Sequence, residues 1–102
     1  MSVSLTGRAA LITGATHGIG RGIAEYFAAA GARIVFSGRD AAAGTELAGK
    51  LRAAGAAATF ARADLLEPGA PGSLVERAAG ELGGLDVLVH SAGIYRPSRW
   101  PS

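Results

Sequence analysis

The sequence predicts an α/β fold in which helices cover both faces of a parallel sheet, the doubly wound arrangement. Short apolar runs rich in β-branched residues alternate with segments of helical period, and a glycine-rich turn joins the first run to the first helical segment. Such alternation implies parallel strands joined by right-handed crossovers. We therefore expect the order βαβαβαβ, an incomplete sheet of about four strands with three helices.

The expected strands share short apolar runs bounded by glycine or charged residues, at about 8–13, 33–37, 57–62 and 85–89. Two expected helices carry apolar residues at helical spacing, at about 18–30 and 41–54. A third helix follows a Gly/Pro-rich loop, where Ser73 is a candidate N-cap, and Gly83-Gly84 ends it.

The inward faces of the first two helices follow from the same spacing. Ile19, Ile23 and Phe27 recur every four residues in the first helix, and Ala24 and Ala28 widen the same stripe. Leu47, Leu51 and Ala54 are expected to face inward in the second. Gly44 and Gly49 are expected to weaken the second helix by about 1 kcal/mol each relative to alanine.

Composition excludes several classes of protein. A chain of 102 residues is one domain or part of one, and 49% hydrophobic with 18% charged residues excludes a disordered tail. Nine arginines and one lysine against eight acids leave a net charge of +2, spread along the chain, so no nucleic-acid surface is predicted. Without cysteine there is neither disulfide nor thiolate chemistry, and two histidines with scattered acids predict no metal site. No signal peptide or membrane segment is recognisable, so we expect a cytoplasmic protein.

The turn after the first strand reads Thr-Gly-Ala-Thr-His-Gly-Ile-Gly at 13–20. Gly14 permits a sharp exit from the strand, Gly18 lets phosphates touch the main chain, and Gly20 allows close packing of helix on strand. Free N–H groups at the start of the helix favour an anion. We predict a pyrophosphate site; the alternatives are a turn without a ligand and a nucleoside-triphosphatase loop. That loop requires Gly-Lys, where this chain has Ile19-Gly20.

This turn, with Asp64 after the third strand and His90-Ser91-Ala92-Gly93 after the fourth, resembles the short-chain dehydrogenase/reductase family over residues 5–95. The resemblance implies a Rossmann-type fold. It also implies that the glycine turn holds the cofactor pyrophosphate, that Asp64 and Leu65 meet the adenine, and that Ser91, Ala92 and Gly93 line the ribose side. His90 and Ser91 stand where the family usually has asparagines. The alternative for Asp64 is a carboxylate that organises its own loop. The implied pyrophosphate residues are Gly14, Thr16, His17, Gly18, Ile19 and Gly20.

The end of the second strand, Ser37-Gly38-Arg39, indicates which nicotinamide cofactor is preferred. An acid at the end of this strand selects NAD through the ribose hydroxyls, and here the corresponding position is Gly38. The Arg39 guanidinium can clamp a 2′-phosphate through hydrogen bonds worth about 1.5–3 kcal/mol each. Ser37 could add a hydroxyl contact to this phosphate, and His17 would add a positive charge when it is protonated. We expect NADP(H) to be preferred over NAD(H), unless a shifted loop presents Asp40 to the ribose or Arg39 is merely solvated.

No catalytic residue is predicted within the chain. The family uses a tyrosine, a lysine four residues later that lowers the tyrosine pKa, and a serine. Lys50 is the sole lysine and Glu46 stands at the required spacing; Tyr95 and Arg99 have the spacing, but Pro97 lies between them. We therefore expect residues 1–102 to be the N-terminal dinucleotide-binding half of one Rossmann domain, with the catalytic half beyond this chain.

The leading hypothesis is the NADP(H)-binding portion of a short-chain oxidoreductase that transfers a hydride between nicotinamide and a small carbonyl or alcohol substrate. For the full-length family member the resemblance implies a homo-oligomer. The alternatives are a non-catalytic module that binds or senses NADP(H), and a truncated product that folds poorly. The substrate is not predictable, because later segments build the family's carbonyl pocket.

Overall fold

The computed structural model describes residues 4–64 and 66–90, which form a parallel sheet covered by helices. All three strand pairings are parallel, and the spatial order β3-β2-β1-β4 changes direction at β1. This is the predicted doubly wound, Rossmann-type fold. The four strands of the described part are β1 (Ala9–Thr13), β2 (Arg33–Gly38), β3 (Ala58–Arg62) and β4 (Val87–His90).

Helices cover the two faces of the sheet unequally. The helices α1 (Gly18–Ala29) and α2 (Ala41–Ala53) lie on one face, and α3 (Ala70–Leu82) lies on the other. The longest of them have 13 residues, and no described helix is both long and apolar enough to cross a bilayer. Each helix packs its buried side chains against apolar strand residues of the sheet face that it covers.

Strand alternation divides the core into two layers. Ile12, Ile34 and Phe36 pack under α1 and α2, whereas Leu11 and Val35 pack under α3. Because successive side chains point to opposite faces, the same alternation assigns every strand residue to one of these layers. In the register of β2 and β3, Gly38 lies opposite Arg62, at the carboxyl ends of both strands.

The third helix begins earlier than predicted. Gly69 is its N-cap, with φ of 80°, and Pro71 lies in the first turn. Proline suits this position because its missing N–H would have no partner in the helix there. Ser73 lies inside the helix, where its N–H donates to the Gly69 carbonyl at 3.1 Å, so the prediction of Ser73 as the cap was wrong.

Two predicted inward-facing residues are exposed. Ile19 is 79% exposed, because it lies in the first turn of α1; the buried stripe consists of Gly20, Ala24 and Ala28. Ala54 is the C-cap of α2 and is exposed, although Leu47 and Leu51 are buried as predicted. Small buried residues bring α1 close to the sheet, and the larger Ile23 and Phe27 pack beside them.

Gly44 allows α2 to approach β3. A Cβ at this position would overlap the Phe60 ring, whose centroid lies 5.5 Å from that of Phe36. A Cβ at Gly49 would meet no atom within 4 Å. The two glycines therefore differ: Gly44 is required by packing, whereas Gly49 only lowers helix propensity.

Candidate functional site

The glycine turn lies at the carboxyl edge of the sheet, where the strand order changes direction. The chain leaves β1 at Thr13 and enters α1 at Gly18, with φ of 65° at Gly14 and 58° at Gly18. Both angles lie in the left-handed region that favours glycine. A Cβ at Gly18 would meet no atom within 4 Å, so the space beside its backbone is open. The turn therefore follows β1, the strand at which the spatial order of the sheet reverses.

The N-terminus of α1 has no side chain that neutralises it. His17 occupies the N-cap position with extended backbone but makes no capping hydrogen bond, and the first turn holds no acidic residue. The first N–H groups of a helix lack intrahelical partners and carry the positive end of its dipole. This end of α1 therefore suits an anion, and the exposed Ile19 lies in the same turn.

The turn is tied to the end of β2 by backbone and by side-chain packing. Ala15 N–H donates to the Ser37 carbonyl at 2.8 Å. Thr16 is buried, and a Cβ at Gly38 would lie only 2.6 Å from Thr16 Cγ2 and 2.7 Å from Thr16 Oγ1. Position 38 therefore takes no side chain, acidic or otherwise, while Thr16 keeps this conformation.

Arg39 and Ser37 lie in different environments although both flank Gly38. Arg39 is exposed, and its side chain makes no hydrogen bond or ion pair within 4–64 and 66–90. Ser37 is 1% exposed, its hydroxyl has no hydrogen-bond partner, and strand alternation directs it to the α3 face. The Ser37 hydroxyl is thus buried on the α3 side in this structure, and its contact with a cofactor stays a prediction.

His17 and Asp40 form a contact that links the glycine turn to α2. His17 Nε2 lies 3.2 Å from Asp40 Oδ2, and Asp40 Oδ1 accepts from Ala43 N–H at 3.0 Å as the N-cap of α2. The Asp40 pKa lies below its usual 3.8, chiefly because of the Ala43 hydrogen bond; desolvation opposes this shift, and the contact with His17 adds to it. The carboxylate is therefore held by α2 and His17.

We expect Asp40→Ala to lower the free energy of unfolding at neutral pH, and Asp40→Asn, which keeps an acceptor, to lower it less. A folded pKa below the unfolded one contributes stability that is complete above about pH 4 and is lost as the pH falls through the lowered value. Urea unfolding should show a smaller difference in the free energy of unfolding between wild type and Asp40→Ala at about pH 3 than at neutral pH. An alanine variant as stable as wild type at neutral pH would contradict this role.

Asp64 organises its own loop. Its Oδ1 accepts from Leu66 N–H at 3.0 Å, and its carbonyl accepts from Glu67 N–H at 3.0 Å. This matches the alternative considered for Asp64, and its contact with adenine stays a prediction.

At the neighbouring strand ends, Thr13 Oγ1 lies 2.8 Å from His90 Nδ1, which joins β1 to β4. Four residues of the predicted site lie outside the described residues: Leu65, Ser91, Ala92 and Gly93.

Sequence reasoning missed two features of this edge. The contact of Thr16 with Gly38 depends on how the turn folds back over β2, and no local pattern signals it. Arg62 is exposed beside Gly38, and only the register of β2 and β3 reveals that proximity. Across the described portion, no three His, Asp or Glu side chains cluster as a metal ion requires.

Solved structures of known proteins share this fold over most of the chain. A short chain dehydrogenase from Burkholderia cenocepacia in complex with NADP is 39% identical, with a TM-score of 0.84, over 90% of this chain and 38% of that one. A 7α-hydroxysteroid dehydrogenase complexed with NADH and 7-oxo glycochenodeoxycholic acid is 36% identical, with a TM-score of 0.80, over 83% of this chain and 33% of that one. These structures differ in the nicotinamide cofactor that they hold.

Sequence comparison agrees with the fold. The chain is 41% identical over 98 residues to cis-4-hydroxycyclohexanecarboxylate dehydrogenase of Sinomonas cyclohexanicum, which covers 95% of this chain and 39% of that protein. The chain thus spans well under half the length of this curated relative. The family model described as short chain dehydrogenase matches residues 8–101, from before the first strand to beyond the last described one. With that match and the glycine turn at the switch point, the chain belongs to the short chain dehydrogenase family.

Proposed function

We propose that this chain is the dinucleotide-binding half of an oxidoreductase and that it binds NADP(H) across the carboxyl edge of its sheet. Bound nicotinamide would supply or accept the hydride exchanged with a carbonyl or alcohol carbon. Family membership supports the reaction class. The observation that carries the binding proposal is the N-terminus of α1, which has open space at Gly18 and neither a side-chain cap nor an acid in its first turn.

In this proposal, the pyrophosphate lies against the backbone of Gly18 and the first N–H groups of α1. Gly14 supports this position through its left-handed backbone, and the buried Gly20 through close packing of α1 on the sheet. Ile19 offers an exposed apolar surface beside the same N–H groups. Asp64 is proposed to reach the adenine, as the family resemblance implies, through a loop that its own carboxylate organises.

The preference for NADP(H) over NAD(H) is supported by the end of β2. Gly38 has no carboxylate to bind the ribose hydroxyls, and Thr16 occupies the space in which one would begin. Arg39 is exposed and unpaired among the described side chains, so its guanidinium is available to a phosphate. Asp40 opposes the preference by its charge, but α2 and His17 already hold its carboxylate.

Titration of the 102-residue chain with NADPH and with NADH, followed by nucleotide fluorescence, tests both parts of the proposal. We expect NADPH to bind at least about tenfold more tightly, because one charge-assisted phosphate contact is worth 1.5–3 kcal/mol. Equal affinities for NADPH and NADH would refute the preference for NADP(H) but would still support a dinucleotide site. Absence of binding by both nucleotides from a chain that is folded by circular dichroism would refute the site itself.

A further inference from the structure

Arg62 ends β3 directly beside the end of β2. Its register partner is Gly38, and Ala63 N–H donates to the Gly38 carbonyl at 3.0 Å. Neighbouring strands lie about 5 Å apart, so the Arg62 backbone is one strand spacing from Gly38 and close to Arg39, the next residue along the chain. Arg62, the last residue of β3, and Arg39, the residue after β2, therefore both lie at the edge of the sheet that holds the candidate site.

Strand alternation places the Arg62 side chain on the α1 and α2 face. Phe60, two residues earlier, contacts α2 at Gly44, and Ala61 between them packs on the α3 side. Gly38 belongs to the same face as Arg62, because its missing Cβ would point at Thr16. Because Gly38 has no side chain, no side chain at position 38 lies between Arg62 and the end of β2.

The charges at this edge leave Arg62 without an internal partner. Among residues 4–64 and 66–90, its side chain makes no hydrogen bond or ion pair, and the same holds for Arg39. Two acids lie near this edge: Asp40 is held by His17 and by Ala43 N–H, and Asp64 accepts from Leu66 N–H. An anion bound between the ends of β2 and β3 would lie near both positive charges, because Arg39 follows β2 and Arg62 ends β3. The arrangement suits a group with several acceptor oxygens and more than one negative charge.

We propose that Arg62 is a second specificity-determining cation for the 2′-phosphate of NADP(H), and that it closes on this group from β3 while Arg39 binds it from β2. The inference rests on the proposed preference for NADP(H). A phosphate monoester carries about −1.5 to −2 charges at neutral pH and three acceptor oxygens, so it accepts hydrogen bonds from two guanidinium groups at once. The nicotinamide, pyrophosphate and adenine are not contacted by Arg62 in this assignment.

The test compares Arg62→Gln with wild type by isothermal titration of adenosine 2′,5′-bisphosphate and adenosine 5′-monophosphate, and of NADPH and NADH. We expect Arg62→Gln to weaken the two ligands that carry a 2′-phosphate about tenfold, and to leave the other two within about twofold. Arg62→Lys should recover part of the loss as a point charge without the fork geometry. The matched control is Arg77→Gln on α3, where Arg77 pairs with Glu81 at 3.4 Å, and it should change none of the four affinities.

Two results would overturn the assignment of Arg62. Unchanged affinities in Arg62→Gln would show that the side chain does not contact the 2′-phosphate. An equal loss for all four ligands, in a variant with the wild-type circular dichroism spectrum and melting temperature, would place its effect on a shared part of the ligand. Failure of the underlying proposal looks different: wild type would then bind NADPH no better than NADH, whatever residue stands at position 62.

Discussion

Replacing Arg39 by aspartate should reverse the proposed preference for NADP(H) over NAD(H). The change removes the exposed guanidinium next to Gly38 and puts a carboxylate beside the site proposed for the 2′-phosphate. We expect NADPH affinity to fall about 100-fold, because a charge-assisted contact is lost and a like-charge contact replaces it. NADH should gain a few-fold, since a carboxylate at the end of this strand accepts from both ribose hydroxyls.

Fluorescence titration of both nucleotides measures the reversal, and two further variants separate its causes. Arg39→Gln should lose NADPH affinity without gaining NADH affinity, because it removes the cation and adds no acceptor of matching charge. Arg39→Lys should keep part of the NADPH affinity as a point charge. A ratio of NADPH to NADH affinity that stays unchanged in Arg39→Asp would show that Arg39 does not face the 2′-phosphate.

Alanine should have opposite effects at the two glycines of α2. Gly44→Ala places a methyl group where the Phe60 ring lies, and this ring is also packed against Phe36. We expect a loss of about 1–3 kcal/mol in the free energy of unfolding, because overpacking exceeds the gain in helix propensity. Gly49→Ala meets no atom within 4 Å and should gain up to about 1 kcal/mol from propensity alone.

Urea unfolding of the two variants against wild type checks this pair. Both changes add the same methyl group to the same helix. The difference between their effects on the free energy of unfolding therefore isolates the contact with Phe60. Gly44→Ala combined with Phe60→Leu should recover part of the loss, since a smaller side chain vacates the space beside α2. A Gly44→Ala variant as stable as Gly49→Ala would mean that α2 does not approach β3 as closely as described.

The fold was predictable because its local signals agree with one another. The apolar runs, the glycine stops and the turn at 13–20 each indicate the same alternation of strand and helix, and the structure confirms the order of elements. The start of α3 was missed because Ser73 is a good cap by residue type, whereas Gly69 with Pro71 makes an equally sound beginning one turn earlier. Ile19 has the right spacing for the core but lies in the first turn of α1, so periodicity alone misplaced it.

The sequence could predict those candidate-site residues that local motifs place, but not those that the pairing of distant strands brings together. The glycines form a motif directly after β1 and Arg39 directly follows β2, so both were expected at the carboxyl edge of a parallel sheet. The burial of Ser37 was not foreseen, because it depends on which face of the sheet α3 covers. Arg62 lies 23 positions after Arg39, and its proximity depends on the register of two strands, which the hydrogen bonds of the folded sheet determine.

The contact of Thr16 with Gly38 also constrains how this chain could acquire the other cofactor preference in evolution or by engineering. An acid introduced first at position 38 would collide with the threonine and disturb the turn proposed to bind the pyrophosphate. If residue 16 first becomes glycine, the same acid has room. We therefore expect the two substitutions to be epistatic, with the acid at position 38 tolerated better after the side chain at position 16 has been removed.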